Sequence, residues 1–327
     1  MADTWEQGSL ATVFGGSGFV GRHTVRAFAR KGWRIRAAVR RPDLAGCLQP
    51  MGGVGQIAAV QANVRYPDSV VRAIDGAKVV VNLVGVLTSS GRQSFEAIHI
   101  DGARAIAKAA KAAGVEKLVH VSAIGADPKS PGRYGRTKAA GEAAVLAEFP
   151  DAVVLRPSIV FGPEDEFFNR FAAMAVCGPV LPLIGGGRTK FQPVYVGDVA
   201  SAIVAAAEGA AKPGTVYELG GPEMQTFRKL LERTQEYAGR DRGYLPIPFW
   251  LASLMGMLTA VLPAGLRPIT TDQVRMLKRD NVVSEVAEKE GRTLAGLGIS
   301  EPHAISTIVP RYLEQYVPKG QYAHYRG

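Results

Sequence analysis

The stretch Leu10-Ala11-Thr12-Val13-Phe14-Gly15-Gly16-Ser17-Gly18-Phe19-Val20-Gly21-Arg22 decides the fold. A short apolar, β-branched run comes first, glycines at 15, 18 and 21 follow, and a helical pattern then spans Gly21 to Lys31. Gly15 permits a tight turn, Gly18 lets the backbone approach a pyrophosphate, and Gly21 lets the helix pack on the strand. The first N–H groups of that helix, at the positive end of its dipole, are then available to an anion. Strand, glycines and helix in this order predict a dinucleotide-binding βαβ unit. Gly15, Ser17, Gly18, Phe19, Val20, Gly21 and Arg22 would lie along the phosphates.

Outward from this unit the same two signals alternate. Buried-strand runs occur at Leu10–Phe14, Arg34–Val39, Gln56–Gln61, Val79–Val84, Lys117–Ser122 and Val153–Arg156. Helical stretches separate them at Ser69–Asp75, Ala97–Ala113 and Gly135–Phe149. Such alternation predicts an α/β fold, a doubly wound parallel sheet of Rossmann type with helices on both faces. Beyond Gly162 the rhythm loosens into a proline- and glycine-rich loop and helices near Phe227–Ala238 and Phe249–Leu262. The expected division is a nucleotide-binding domain over 1–160 and a smaller, mixed C-terminal lobe over 161–327 for substrate or partner docking.

Composition narrows the class. The 327 residues carry 39 Lys+Arg against 29 Asp+Glu, a net charge of +10, with 47% hydrophobic and 21% charged residues. These proportions exclude a disordered chain. The cations are dispersed, without a dense block interleaved with aromatics, so no nucleic-acid partner is expected. Two cysteines, Cys47 and Cys177, form no CxxC, and the five histidines lack ligand spacing, so no metal site is expected. The start of the chain reads as neither a secretion signal nor an Arg-rich presequence, which predicts that the protein works where it is made.

The end of the second strand bears on cofactor choice. NAD binders place an acid there for the ribose hydroxyls, whereas this chain has Arg40 and Arg41. A guanidinium at that point suits a 2′-phosphate, with Arg22 assisting, so NADP(H) is predicted ahead of NAD(H). Tyr134 and Lys138 fall on one side of a helix at i, i+4. An ammonium beside the phenol would lower the phenol pKa while it binds ribose.

Together with the glycine motif, Tyr134-Gly135-Arg136-Thr137-Lys138 resembles the short-chain dehydrogenase/reductase superfamily in its extended, atypical branch. Other segments fit in order. Asn63-Val64 stands where the family contacts adenine, Leu83-Val84-Gly85 follows strand four, and Arg156-Pro157-Ser158-Ile159 resembles the loop beside the nicotinamide. That resemblance adds Asn63, Val64, Leu83, Val84, Gly85, Ser122, Pro157 and Ile159 to the expected cofactor contacts. The runs His120-Val121-Ser122, Lys138-Ala139-Ala140-Gly141-Glu142, Phe161-Gly162-Pro163-Glu164-Asp165 and Gln192-Pro193-Val194-Tyr195 narrow it to the NADPH-binding accessory subunits of respiratory complex I (NADH:ubiquinone oxidoreductase). Ile269-Thr270-Thr271-Asp272-Gln273-Val274 fits the same group. Such a subunit holds nucleotide and stabilises the junction of the peripheral and membrane arms. The resemblance implies complex I subunits as partners and a peripheral place on the cytoplasmic side of a bacterial inner membrane.

Active members of the superfamily end strand five with a Ser or Thr that orients the substrate carbonyl. Here that position is Ala123, with Ser122 one residue early. Adjacent strand residues point to opposite faces, so the sequence predicts a Tyr134/Lys138 pair lacking its oriented acceptor. Two alternatives stay open: an active NADP(H)-dependent reductase or epimerase with a quinone-like or isoprenoid substrate, and a non-enzymatic redox sensor.

From Phe249 to Leu262 the chain is apolar nearly all round, too short at 14 residues to span a membrane. Ala252, Gly256 and Ala260 form a small-residue stripe, with Trp250, Leu254, Leu258 and Leu262 elsewhere. All-round apolarity predicts burial or docking. Nearby Arg267, Arg275, Lys278 and Arg279 favour an anionic membrane surface. His99 and His120 are read as packing histidines, and Asp198 and Asp272 as helix caps.

Overall fold

The computed structural model describes residues 8–89, 91–259 and 270–318. They group into two compact units. One holds the chain to Pro157 together with Gly197–Leu219 and Val283–Ser300; the other holds Ser158–Val196, Gly220–Val282 and the residues from Glu301. Where the sequence predicts one boundary near residue 160, the chain passes from unit to unit five times.

The first unit is built on seven strands: β1 (Leu10–Phe14), β2 (Arg34–Val39), β3 (Ile57–Gln61), β4 (Val79–Asn82), β5 (Lys117–Val121), β6 (Val153–Pro157) and β7 (Val216–Leu219). All pair in parallel, in the order β7-β6-β5-β4-β1-β2-β3. The order reverses beside β1, which opens a crevice at the carboxyl ends of β1 and β4 where such sheets hold ligands. Its longer helices are α1 (Phe19–Arg30), α2 (Pro67–Ile74), α3 (Ala103–Ala112), α4 (Arg133–Glu148) and α5 (Val196–Ala207).

Every residue of β4 is buried, as a strand covered by helices on both faces must be. On one face Phe14, Val80 and Leu118 pack with Val70 and Ile74 of α2, Ile106 and Ala110 of α3, and Val145 of α4. Each such side chain contributes roughly 1.5–3 kcal/mol by leaving water. Polar strand residues have specific work. The Thr12 hydroxyl donates to Ala73 O at 2.8 Å, and Arg36 Nη1 donates to Ala73 O at 2.9 Å and Asp75 O at 2.6 Å, so two strands cap the end of α2. On β6, Arg156 donates to both carboxylate oxygens of Glu142 on α4, at 2.9 and 2.6 Å, and lies 3.6 Å from Glu218 on β7. That guanidinium ties the last two strands to α4.

In the second unit, helices Phe168–Cys177, Phe227–Tyr237 and Ile305–Leu313 enclose a core that includes Phe161, Phe168, Phe191, Phe227, Leu230 and Val309. Asp165 caps the first of these helices. It accepts from the N–H groups of Phe168 at 2.7 Å, Asn169 at 3.3 Å and Gly162 at 3.2 Å, and from the Tyr312 hydroxyl. The Phe161–Asn169 run is thus an architectural turn within this unit.

The apolar stretch forms a helix, as its sequence predicts. It spans Phe249–Leu258, and only Ala252 and Gly256 are buried. The small-residue stripe does the packing: a Cβ on Gly256 would sit 2.7 Å from the Thr271 nitrogen. Trp250, Met257 and Leu258 are 68, 65 and 67% exposed, because so narrow a stripe covers only one side of a helix. Ala260, Leu262 and Arg267 lie outside the described residues. Among the described residues no helix is long and apolar enough to cross a membrane. Asp272 is also not the cap of its helix. Thr270 caps Thr271–Met276 in a reciprocal box with Gln273, and Asp272 sits in the first turn, where its charge complements the dipole.

Candidate nucleotide site

The glycine loop leaves β1 through Gly15, whose φ of +80° lies in the region that disfavours other residues. Its N–H donates to Ala38 O on β2 at 3.0 Å, and its carbonyl accepts from Gly18 N at 3.0 Å. A Cβ on Gly21 would lie 2.1 Å from that same carbonyl oxygen, and one on Gly16 would lie 3.0 Å from the Ala37 Cβ. α1 starts with Gly18 as its N-cap, with no capping side chain and no acid in its first turn. Ser17 and Gly18 are exposed, Phe19, Val20 and Arg22 partly so. An uncapped, acid-free helix end inside a cradle that any Cβ would fill fits a pyrophosphate.

The predicted arginine pair separates. Arg41 is taken by Asp43 in a two-pronged contact at 3.0 and 2.6 Å, whereas Arg40 is exposed and makes no ion pair among the described residues. Of the two, Arg40 is the guanidinium without an acid partner among the described residues. At the end of β3, Asn63 turns its side chain to its own loop, accepting from Arg65 N at 3.2 Å. Val64 is 7% exposed and packs on Gly102 in the core.

The loop after β4 crosses the glycine loop. Leu83 N donates to Phe14 O at 3.0 Å, and the Leu83 Cβ would stand 3.5 Å from a Cβ on Gly15. Asn82 Oδ1 takes the Val84 N–H at 3.0 Å, and a Cβ on Gly85 would lie 3.3 Å from Lys138 Nζ. Gly15, Leu83, Gly85 and Lys138 thus converge. Pro157 ends β6 in this unit, while Ile159 packs against the core of the second.

The Tyr134/Lys138 pair differs electrostatically from its prediction. Lys138 is 5% exposed and donates to Val121 O at 3.2 Å. Burial pulls it down to about 8, against the opposing pull of Glu142. Burial likewise pushes the Tyr134 phenol up to about 12, where the sequence predicts a lowered value.

The hydroxyl at the end of strand five takes its side from the sheet ladder. The ladder to β6 runs on past β5, with Ser122 N to Leu155 O at 2.7 Å and Ile124 N to Pro157 O at 2.9 Å. Alternation then keeps Ser122 on the side of Leu118 and His120, and Leu118 packs in the cluster that includes Val145 of α4. Ser122 thus lies on the side of the helix that carries Tyr134, and Ala123 faces away. Ser122 Oγ is buried and has no hydrogen-bond partner among the described residues.

Two residues gain roles that a packing reading misses. His120 Nδ1 takes the Asn82 amide N–H at 3.1 Å, and His99 lies between the β4 loop and α4. Burial, then the charge of Lys138, pulls both down to about 3. The folded state therefore binds fewer protons than the unfolded chain between pH 6.5 and 3, and stability falls as pH drops through that window. Each imidazole is expected to remove about 2 kcal/mol between pH 7 and pH 5. Urea unfolding of wild type and His120→Gln at the two pH values checks this, with a smaller acid loss in the variant.

With this geometry the class is defined. The chain belongs to the NAD dependent epimerase/dehydratase family, whose model matches residues 11–220. The cofactor class is accordingly a nicotinamide dinucleotide. Within that class the chain is 38% identical to NADH dehydrogenase (ubiquinone) 1 alpha subcomplex subunit 9, mitochondrial, of Arabidopsis thaliana, over 86% of this chain and 73% of that protein. It is 34% identical to the ceramide reductase of Caulobacter vibrioides over 60% of each chain. The structure of the NADPH-dependent quinone oxidoreductase of Escherichia coli in complex with NADPH superposes with a TM-score of 0.72 at 20% identity, over 93% of this chain and 99% of that one, a likeness of fold.

Proposed function

We propose that this protein is an NADP(H)-holding accessory subunit of respiratory complex I, seated on the membrane surface at the peripheral arm. The observation that carries the reading is a well-formed phosphate cradle, with Gly15, Leu83, Gly85 and Lys138 converging beside it. Similarity to the plant subunit along most of the chain supports the assembly. The exposed face of Phe249–Leu258, with Arg275 and Lys278 nearby in sequence, supports contact with anionic lipid and a peripheral place on a membrane.

Affinity purification of tagged protein from mild-detergent membranes tests this. Stoichiometric complex I subunits and acid-released NADPH are the expected result; a soluble homo-oligomer without those subunits overturns it. NADP(H) over NAD(H) rests on Arg40. Arg40→Ala is expected to weaken NADPH binding roughly 10- to 100-fold while NADH changes little, because one charge-assisted contact set is lost. Fluorescence titration with both nucleotides reads this directly.

A second reading, an active NADP(H)-dependent reductase, is favoured by Ser122. Its hydroxyl is buried and lies on the side of the Tyr134 helix, where a carbonyl acceptor would need it. The ceramide reductase relative and the earlier quinone-like or isoprenoid expectation make a lipid-like ketone the substrate class to screen. Steady NADPH oxidation that disappears in Tyr134→Phe would establish it.

A further inference from the structure

His99 lies in a π-helical turn, Glu96–Gly102, that leads into α3. Such turns cluster at functional positions, because the extra residue re-aims a side chain. The imidazole reaches two elements. Nε2 accepts from Val86 N–H at 3.2 Å, and Nδ1 lies 3.1 Å from the Thr137 hydroxyl, which itself donates to Tyr134 O at 3.0 Å. Only one polarity satisfies this chain. A backbone N–H must donate at one end, and a carbonyl must accept at the other. His99 is therefore neutral, with its proton on Nδ1 and directed to Thr137.

The surroundings hold that state. Phe95 stacks on the ring at 5.4 Å and 25°, and Tyr134 meets it edge-on at 5.4 Å and 88°. Among charged neighbours, Lys138 opposes protonation, and the Glu96 carboxylate is already held by Arg133 at 2.7 and 2.8 Å. α4 also approaches the turn closely: a Cβ on Gly141 would lie 2.0 Å from the His99 carbonyl oxygen.

We propose that His99 is a positioning residue that fastens the loop after β4, Leu83–Val86, to the Tyr134–Lys138 turn of α4, so that the two sides of the nucleotide site keep one spacing. The inference rests on the nucleotide-holding reading above. It assigns to this imidazole the rate at which nucleotide escapes: when the fastening breaks, the β4 loop and Lys138 separate and the grip loosens.

NADPH release from the full chain, followed by nucleotide fluorescence after dilution, tests this. His99→Phe keeps ring volume and stacking but removes both bonds, and is expected to release NADPH roughly tenfold faster. His99→Gln keeps an acceptor for Val86 N–H and, in its amide N–H, a donor for the Thr137 hydroxyl, and is expected to recover most of the retention. Thr137→Val breaks the far end of the chain; combined with His99→Phe it should add little, because one connection is broken twice. Nitrogen NMR of the imidazole should show a neutral ring protonated at Nδ1 at pH 7. Release from His99→Phe at the wild-type rate overturns the proposal, as does full additivity with Thr137→Val. If His99→Phe does not fold, the rates of His99→Gln and Thr137→Val decide: wild-type release from Thr137→Val overturns it. Wild type that takes up no NADPH overturns the nucleotide-holding reading itself, an outcome distinct from failure of the variants alone.

Discussion

Gly21→Ala is expected to abolish NADPH retention and to destabilise the fold. The added carbon would sit 2.1 Å from Gly15 O and 2.7 Å from the Gly16 carbonyl carbon, both backbone atoms without a rotamer to yield. Relief requires α1 to move off β1. That costs about 3 kcal/mol or more, and it also carries the helix end away from the phosphates. Nucleotide affinity should fall more than about 100-fold, since both the cradle and the helix dipole are displaced. Gly46→Ala is the control, because a Cβ there meets nothing within 4 Å and should leave melting and binding unchanged. Thermal unfolding with fluorescence titration of both variants makes the comparison. Near-wild-type NADPH affinity in Gly21→Ala would remove the glycine loop from the site.

The second large effect concerns stability. Arg156→Met should cost about 3–5 kcal/mol, because it strands the Glu142 carboxylate, whose side chain is only 6% exposed, without its cation. Glu218 is less affected, since it also accepts from Ser284 N at 2.8 Å. The double variant Arg156→Met/Glu142→Leu should recover most of the loss, because a buried ion pair often contributes little beyond an apolar pair of similar size. Urea unfolding of both single variants and the double measures the coupling. A loss below about 1 kcal/mol in Arg156→Met would mean that water reaches Glu142.

Much of this fold is legible in the amino-acid order, for a physical reason. Parallel strands are buried on both faces, so Leu10–Phe14, Arg34–Val39 and Val79–Asn82 stand out as apolar runs between helical periods. β4 ends two residues earlier than its apolar run suggests, because Asn82 captures the Val84 N–H with its own side chain. β7 is not legible. Four residues with alternating burial, Val216–Leu219, carry little signal, and only their partner β6 makes them a strand. The glycine cradle and the Tyr134/Lys138 spacing are local properties and can be read directly. The side taken by Ser122 depends on where the β5–β6 ladder stops, and the function of His99 depends on bonds to residues 13 and 38 positions away. Neither periodicity nor composition encodes such distances. The helix at Phe249–Leu258 shows the same limit: apolarity does not tell which residues pack, and the two that do are chosen by distant partners, Thr270 and Thr271 for Gly256 and Val274 for Ala252.

The order in which the sheet is assembled bears on synthesis. β6 is complete at Pro157, but its outer neighbour β7 begins only at Val216, after the chain has passed through Ser158–Val196 of the other unit. A nascent chain that has emerged no further than residue 215 therefore carries a bare parallel edge on β6, a template for pairing with other unfinished chains. Ribosome stalling or premature termination in this interval would yield the stickiest fragments, and a holdase that shields β6 during those roughly sixty residues would raise the yield more than one acting earlier or later.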